Sequence, residues 1–319
     1  MTVGIPKDSR VIHRVNRLIR EKVYQATRAR PSVWVFTLAG VVLFGAMVAF
    51  VIYSLYHEGS VLLAQLTHIN LLGIGLSFIL YSGALALAIL GWSAIAGRLT
   101  NVRDLKRHVK VYCYTNLARR IPGFFWYVLG RAHLYRHDGA GIVSISAASA
   151  IEMALIVLSG LMSYALLNLG RWPIRWTWGL IVGIGVGLVM MHPRLLQWIL
   201  SKVKHVNIVE HIRYRDVAIW LAVYISVWVL GGLALFSVVW AIQPLALVQV
   251  PGIIACWSLS GAVSTLVVFL PAGLGVREAT LSMLLLPFIP APLAVTVALM
   301  MRVLLTLYEI VWALIAIRI

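Results

Sequence analysis

Apolar residues in this chain fall in long, nearly unbroken runs. Those over residues 34–55, 69–95, 142–169, 176–192, 217–242 and 293–317 each reach the roughly 17 to 25 residues that a helix needs to cross the hydrocarbon core of a bilayer. Two further runs, 109–130 and 252–288, are interrupted. The first carries Arg119, Arg120, Pro122 and Gly123 at its centre; the second is broken by Pro271, Gly273 and Gly275 and then charged at Arg277 and Glu278. Backbone groups freed by Pro and Gly find no partners in lipid, so such breaks persist only where protein, water or a ligand supplies them. A charged side chain at bilayer depth costs roughly 2.5 to 3.5 kcal/mol on insertion scales, which marks the same segments as a working site. Both interrupted runs are therefore expected to be re-entrant helical hairpins.

The chain ahead of the first run reads differently. Val11, Ile12, Val15, Leu18, Ile19 and Val23 recur at helical spacing opposite Arg10, Arg14, Arg17 and Arg20, with Ser9 placed as an N-cap. This predicts an amphipathic helix on the cytoplasmic membrane interface over residues 1–31, ahead of a transmembrane domain over residues 32–319. The long basic stretch before the first apolar run does not fit a cleaved signal.

Composition supports the class. Hydrophobic residues make up 61% of the chain and charged residues 12%, and mean hydropathy is +0.94, against about half and about a quarter in soluble domains. The expected fold is an all-α polytopic membrane protein of about six full spans plus two re-entrant, broken helical hairpins.

The net charge of +17 would suit nucleic acid if it were spread over a soluble surface. It is instead confined: of 27 Lys and Arg, eight precede Pro31, five lie within 98–110 and five within 194–215, while 57–68 and 243–251 hold none. That is the asymmetry that orients membrane proteins and binds anionic head groups, so no nucleic-acid partner is expected. If the six clean runs span and both broken runs return, every strongly basic segment and both termini fall on one side, the cytoplasmic one. The order span, hairpin, span then occurs twice, upside down the second time, and a buried acid follows each hairpin, Glu152 and Glu309. Inverted repeats of this kind bring paired broken segments together to form a substrate site.

Motifs at the same residues resemble a known family. Asn116, Arg119 and Arg120 lead into Ile121, Pro122 and Gly123, followed by Gly130, Arg131, Gly139 and Glu152; the second half carries Pro271, Gly273, Gly275, Val276, Arg277 and Glu278, then Arg302. From residue 69 onward the chain resembles the flippase-like transmembrane domain of lysylphosphatidylglycerol synthases, as a stand-alone member without the aminoacyltransferase domain. The resemblance implies a bacterial or archaeal cytoplasmic-membrane protein that moves a phosphate-bearing or glycosylated lipid between leaflets. Its partners would be membrane lipids with anionic or polyprenyl-phosphate-type head groups, with a homo-oligomer left open.

Arg119, Arg120, Arg131, Arg277 and Arg302 are the expected head-group ligands, because a guanidinium fork matches phosphate and stays charged. Backbone N–H groups at Pro122, Gly123, Pro271, Gly273 and Gly275 breaks would add an anion nest, and Glu152, Glu278 and Glu309 would neutralise the arginines or take up protons. A competing reading makes Arg277 and Glu278 a structural clamp with Glu309 and Arg302, and lets Arg119 and Arg120 snorkel to water. Gly83, Gly91, Gly183 and Gly187 are expected to allow close helix approach, and Trp172, Trp176 and Trp178 to form an interfacial belt.

No enzymatic activity, cofactor or metal is expected. The chain has no phosphate-binding loop and no nucleophile-elbow pattern, His133 and His137 lack further ligands, and Cys113 and Cys256 sit in apolar segments unsuited to a disulfide scaffold. The alternatives are a non-transporting accessory subunit of a lipid or envelope-glycan pathway and a membrane-embedded lipid-modifying enzyme.

Overall fold

The computed structural model describes residues 69–118, 124–168, 174–203, 211–266 and 275–319, together with Ala49. The predicted amphipathic N-terminal helix, the 34–55 span, Arg119, Arg120, Pro122, Gly123, Pro271, Gly273 and Trp172 lie outside the described residues, as does the side chain of Trp176.

Among the described residues the secondary structure is helical throughout. Ten α-helices follow in order: α1 (Leu71–Leu99), α2 (Leu105–Ala118), α3 (Phe124–Arg136), α4 (Ile142–Leu167), α5 (Ile174–Met190), α6 (Pro193–Lys202), α7 (Tyr214–Ile242), α8 (Val250–Leu266), α9 (Val276–Leu285) and α10 (Ala291–Ile317). A single 3-10 turn, Leu247–Gln249, leads into α8. Helices α1, α4, α7 and α10 and the stretch Leu247–Leu266 are long and apolar enough to cross a membrane. Helices α5 and α6 would together make a sixth crossing, bent by 62° at a break that Pro193 opens. The protein is an all-α polytopic membrane protein.

Helices α1 and α7, both 29 residues long and so about 43 Å at 1.5 Å per residue, form the central pair and run antiparallel. At one end the Asn70 N–H donates to the Ala241 carbonyl at 2.9 Å; at the other Arg98 meets Asp216 at 2.8 Å. Glycine makes the contact close: a Cβ on Gly73 would lie 2.7 Å from the Ala241 Cβ, and one on Gly91 3.2 Å from the Tyr224 ring. The remaining long helices follow a matching rule. Helix α10 runs parallel to α1, with Tyr308 against Ser77 and Trp312 against Ser82. Helix α4 runs parallel to α7, with Glu152 against Tyr224 and Ser159 against Trp228. Equivalent helices therefore point in opposite directions while their neighbours keep the same relation, which is the geometry of an inverted repeat.

Both interrupted runs fold as antiparallel hairpins. Arg107 at the start of α2 binds Asp138 and the Leu134 carbonyl beyond and near the end of α3, His108 meets Tyr135, and Thr115 meets Arg131 closer to the tip. In the second hairpin the Cys256 thiol of α8 donates to the Leu284 carbonyl of α9, and Gly252 lies against Phe288. The first hairpin's arms, 14 and 13 residues, reach only about 20 Å, short of a hydrocarbon core of about 30 Å. The second is unequal: α8 is long enough to cross, whereas α9 has ten residues and extends about 15 Å. The first hairpin opens at the Arg98–Asp216 end of the bundle and the second at the Asn70–Ala241 end. Two apolar cores form, one around Trp92, Ile145 and Leu155 that also takes in Val217, Trp220 and Tyr224 of α7, the other around Leu235, Ile253 and Leu285.

Candidate functional site

In the first half, α3 and α4 bring Arg131 against Glu152, both side chains completely buried. The Glu152 Oε2 accepts from Arg131 and from the Tyr127 hydroxyl at 2.8 Å, and its Oε1 accepts from Tyr224 at 3.1 Å. The guanidinium carbon lies 3.8 Å from the centre of the Trp92 ring, 4.2 Å from Tyr127 and 4.8 Å from Tyr112. Arg131 Nε donates to the Thr115 hydroxyl at 3.3 Å, while Nη2 has no hydrogen-bond partner among the described residues. A buried ion pair offsets its desolvation only when geometry and extra hydrogen bonds are good. Here three aromatic faces and three neutral donors or acceptors surround the pair, and it closes the hairpin onto its span.

In the second half the charges are exchanged. The acid, Glu278, sits on the hairpin arm α9 and the base, Arg302, on the span α10; they form an ion pair with side-chain exposures of 3% and 16%. Glu278 has a second task. Its Oε2 accepts the N–H of Gly275 at 2.9 Å, capping α9, and Gly275 adopts φ +80°, a backbone region that glycine enters without steric cost. Gly275 and Glu278 of the broken motif are thus explained by helix initiation. Arg277, on the same helix, stacks on Trp257, its guanidinium carbon 4.1 Å from the ring centre.

Glu309 lies seven residues beyond Arg302 on α10, hence about two turns on. Its Oε1 accepts from Tyr81 at 3.0 Å and from Asn116 at 3.1 Å, the first from α1 and the second from the opposite half's hairpin. Glu309, Arg277, Asn116 and Tyr81 open together onto a cavity of about 140 Å³. The cavity lies where the halves cross: α1 contributes Ala84, Leu85 and Ala88, α4 contributes Ile156, and α7 contributes Tyr224, Val227, Trp228 and Gly231. Tyr112 and Tyr224, which also contact the Arg131–Glu152 pair, form the wall separating that pair from the cavity. A second, smaller cavity of about 20 Å³ is bordered by Arg277, Glu278 and Arg302 and shares Trp257, Arg277 and Leu305 with the first.

The predicted residues therefore divide. Arg277 and Glu309 border the main cavity, Glu278 and Arg302 border the second, and Arg131 and Glu152 border neither. The clamp reading holds for Glu278 with Arg302. Sequence reasoning missed Tyr81, Tyr112, Tyr224, Trp228 and Trp257, because an aromatic inside an apolar run carries no sign of whether it packs, anchors at an interface or lines a cavity. Among the described tryptophans, Trp178 is 69% exposed, as a membrane-facing residue should be, whereas Trp92, Trp220, Trp228 and Trp257 are buried. Gly187 and Gly91 do sit at tight helix contacts, whereas Gly83 and Gly183 have ordinary ones.

Outside the candidate spans, His108 completes a buried chain: Trp92 Nε1 donates to the Tyr135 hydroxyl at 2.9 Å, Tyr135 meets His108 Nδ1 at 2.6 Å, and His108 Nε2 meets the Val102 carbonyl at 3.1 Å. Burial holds His108 below its ordinary pKa, in keeping with a neutral ring that donates from Nε2 and accepts at Nδ1. His133 and His137 have ring centres 6.2 Å apart, and no group of three or more potential metal-ligating side chains occurs among the described residues. Cys113 and Cys256 are free, buried thiols.

Comparison of the chain with protein-family models, with curated proteins and with solved structures finds no match in any of the three.

Proposed function

We propose that this protein is a lipid transporter that moves a phosphate-bearing head group between leaflets through the cavity at the crossing of its two halves. The observation that carries this reading is the cavity itself: a volume of about 140 Å³, bordered by Arg277 and Glu309 and lined from both inverted halves. Drug-sized ligands occupy pockets of roughly 300 to 1,000 Å³, so the cavity admits a head group and leaves acyl chains in the bilayer. Arg277 provides a fixed cation whose fork suits phosphate, and its stacking on Trp257 holds it at the cavity wall. The resemblance to the flippase-like domain of lysylphosphatidylglycerol synthases points the same way. In this reading the protein is a transporter, not an enzyme, of a bacterial or archaeal cytoplasmic membrane. Its basic end, with Arg98, Arg107 and Arg213, faces the cytoplasm together with both termini, because cytoplasmic segments carry the excess of Lys and Arg.

The test is transbilayer movement of a head-group-labelled phospholipid in vesicles containing the purified protein. Wild-type protein is expected to expose the inner-leaflet label to a membrane-impermeant quencher, and Arg277→Gln to slow this at least tenfold while melting within a few degrees of wild type. Equal movement in protein-free vesicles, or full activity in the Arg277→Gln protein, sinks the proposal.

A further inference from the structure

Helix α6 presents two faces of opposite character. Leu196 and Leu200 are buried in the core with Ile212 and Val217, while Arg194, Trp198, Ser201 and Lys202 are exposed on the other side. The Lys202 ammonium lies 5.9 Å from the centre of the Trp198 ring. Two bonds tie the helix and its N-cap to the start of α7: Gln197 Nε2 donates to the Ile212 carbonyl at 2.7 Å, and the Tyr214 hydroxyl meets His192 Nε2 at 2.6 Å. Arg213 and Arg215 flank Tyr214 and are exposed. Over residues 194–215 the sequence holds five Lys and Arg against one acid, Glu210, which lies outside the described residues; the next acid, Asp216, is engaged by Arg98.

This surface suits neither the hydrocarbon core nor bulk water. Exposed cations are costly at bilayer depth, and a tryptophan that is 59% exposed belongs at the interface, where its apolar body and polar edge meet both phases. Helix α5 has 17 residues and reaches the lower limit for crossing alone; its exposed Ile181, Val182, Val186 and Val189 suit lipid. The 62° turn that follows lays α6 nearer to the membrane plane than to the axis of an upright α5.

We propose that α6 lies in the head-group layer and that Arg194, Trp198 and Lys202, with Arg213 and Arg215, form a docking surface for anionic phospholipid head groups. Charge complementarity selects the occupant, since each cation beside an anionic leaflet adds attraction, and the indole fixes the depth. None of these residues borders the cavity, so the inference is independent of what the cavity carries.

Fluorescence quenching in phosphatidylcholine vesicles tests it. A bimane attached to Ser201→Cys in the full-length protein is exposed to nitroxide-bearing lipids; Cys113 and Cys256 are buried, which directs the label to the new thiol. Phosphatidylcholine with the nitroxide near the head group is expected to quench more strongly than the same lipid with it at the chain end. At equal mole fraction, phosphatidylglycerol with the shallow nitroxide should quench about threefold more effectively than phosphatidylcholine. That ratio should fall towards one in high salt and in the protein that also carries Arg194→Gln and Lys202→Gln. Stronger quenching from the chain end means that α6 completes a crossing, and no quenching at either depth means that water or protein covers it; either result overturns the proposal. So does a ratio near one in the labelled protein, or a preference that survives the double substitution undiminished. If the doubly substituted protein fails to fold, the salt response of the labelled protein decides.

Discussion

Glu152 and Glu309 each accept from a tyrosine ten residues beyond the start of a central helix, Tyr224 of α7 and Tyr81 of α1, yet one is sealed and the other borders a cavity. Glu152 has its partners built in: Arg131, Tyr127 and Tyr224 saturate it, and both charged side chains have no exposed surface. Glu309 is held by Tyr81 and Asn116 at one oxygen and shares its cavity with Arg277. Along the antiparallel central pair, Gly91 stands opposite Tyr224, so the two tyrosines are separated by ten residues of α1, or roughly 15 Å. A sealed ion pair fixes a hairpin to its span, and the second acid borders the cavity with Arg277. The exchange of signs in the hairpin clamps, Arg131 with Glu152 against Glu278 with Arg302, shows that opposite charge across the joint matters there, not which element carries which sign.

The sharpest way to break this comparison is to neutralise each acid. Glu152→Gln leaves the Arg131 guanidinium fully buried without a counter-ion, and removing one partner of such a pair costs about 3 to 5 kcal/mol. Glu309→Gln keeps a hydrogen-bond acceptor for Tyr81 and Asn116 beside a cavity large enough for water, and should cost less. Thermal unfolding of the two proteins in detergent is expected to show a large drop for the first and a small one for the second. Similar losses would mean that both acids are structural. Replacing both members of the sealed pair, Arg131→Met with Glu152→Leu, should recover most of the loss, since isosteric apolar replacement of a buried pair is often neutral or stabilising.

The clamp of the second half should be weaker. Arg302 keeps 16% of its side chain exposed, so the pair is less completely desolvated than Arg131 with Glu152, and without Arg302 the Glu278 carboxylate still accepts the Gly275 N–H. Arg302→Gln is expected to cost about 1 to 3 kcal/mol and to raise hydrogen exchange at the start of α9, where Glu278 caps the Gly275 N–H. Unchanged exchange there would show that the cap stands without the ion pair.

Much of this architecture could be read from the sequence, and the limits of that reading have physical causes. Apolar runs located α1, α4, α7 and α10, because a bilayer demands length and hydrophobicity whatever the tertiary packing. The Pro- and Gly-centred breaks located both hairpins, and the twofold order of elements announced the inversion that the antiparallel α1 and α7 display. The sequence did not distinguish Arg131 from Arg277. Each follows a broken segment, and only the register of the folded hairpin decides that one faces Trp92, Tyr127 and Glu152 while the other borders the cavity. Helix α6 falls in the basic segment 194–215, where charge hides the pattern, although Pro193 at its first turn and the apolar positions Leu196 and Leu200, four apart and both buried, mark a short amphipathic helix. The close approaches of Gly73 and Gly232 were also missed. A glycine in an apolar run shows its use only when the facing atoms are known, here the Ala241 Cβ and the Ile254 Cα.

The finest test compares the two tyrosines. Tyr224→Phe removes one neutral donor from a carboxylate that keeps Tyr127 and Arg131, so it should lower stability by about 1 kcal/mol and affect ligand binding only through the shared cavity wall. Tyr81→Phe removes a donor that positions Glu309, with a similar or smaller stability cost, but it should loosen the carboxylate where the ligand is proposed to sit. Thermal unfolding and movement of a head-group-labelled phospholipid, measured on both variants, are expected to dissociate: comparable melting temperatures, with movement slowed several-fold more in Tyr81→Phe than in Tyr224→Phe. If movement falls equally in both, the cavity responds to its wall as a whole, and the distinction between the two carboxylates disappears.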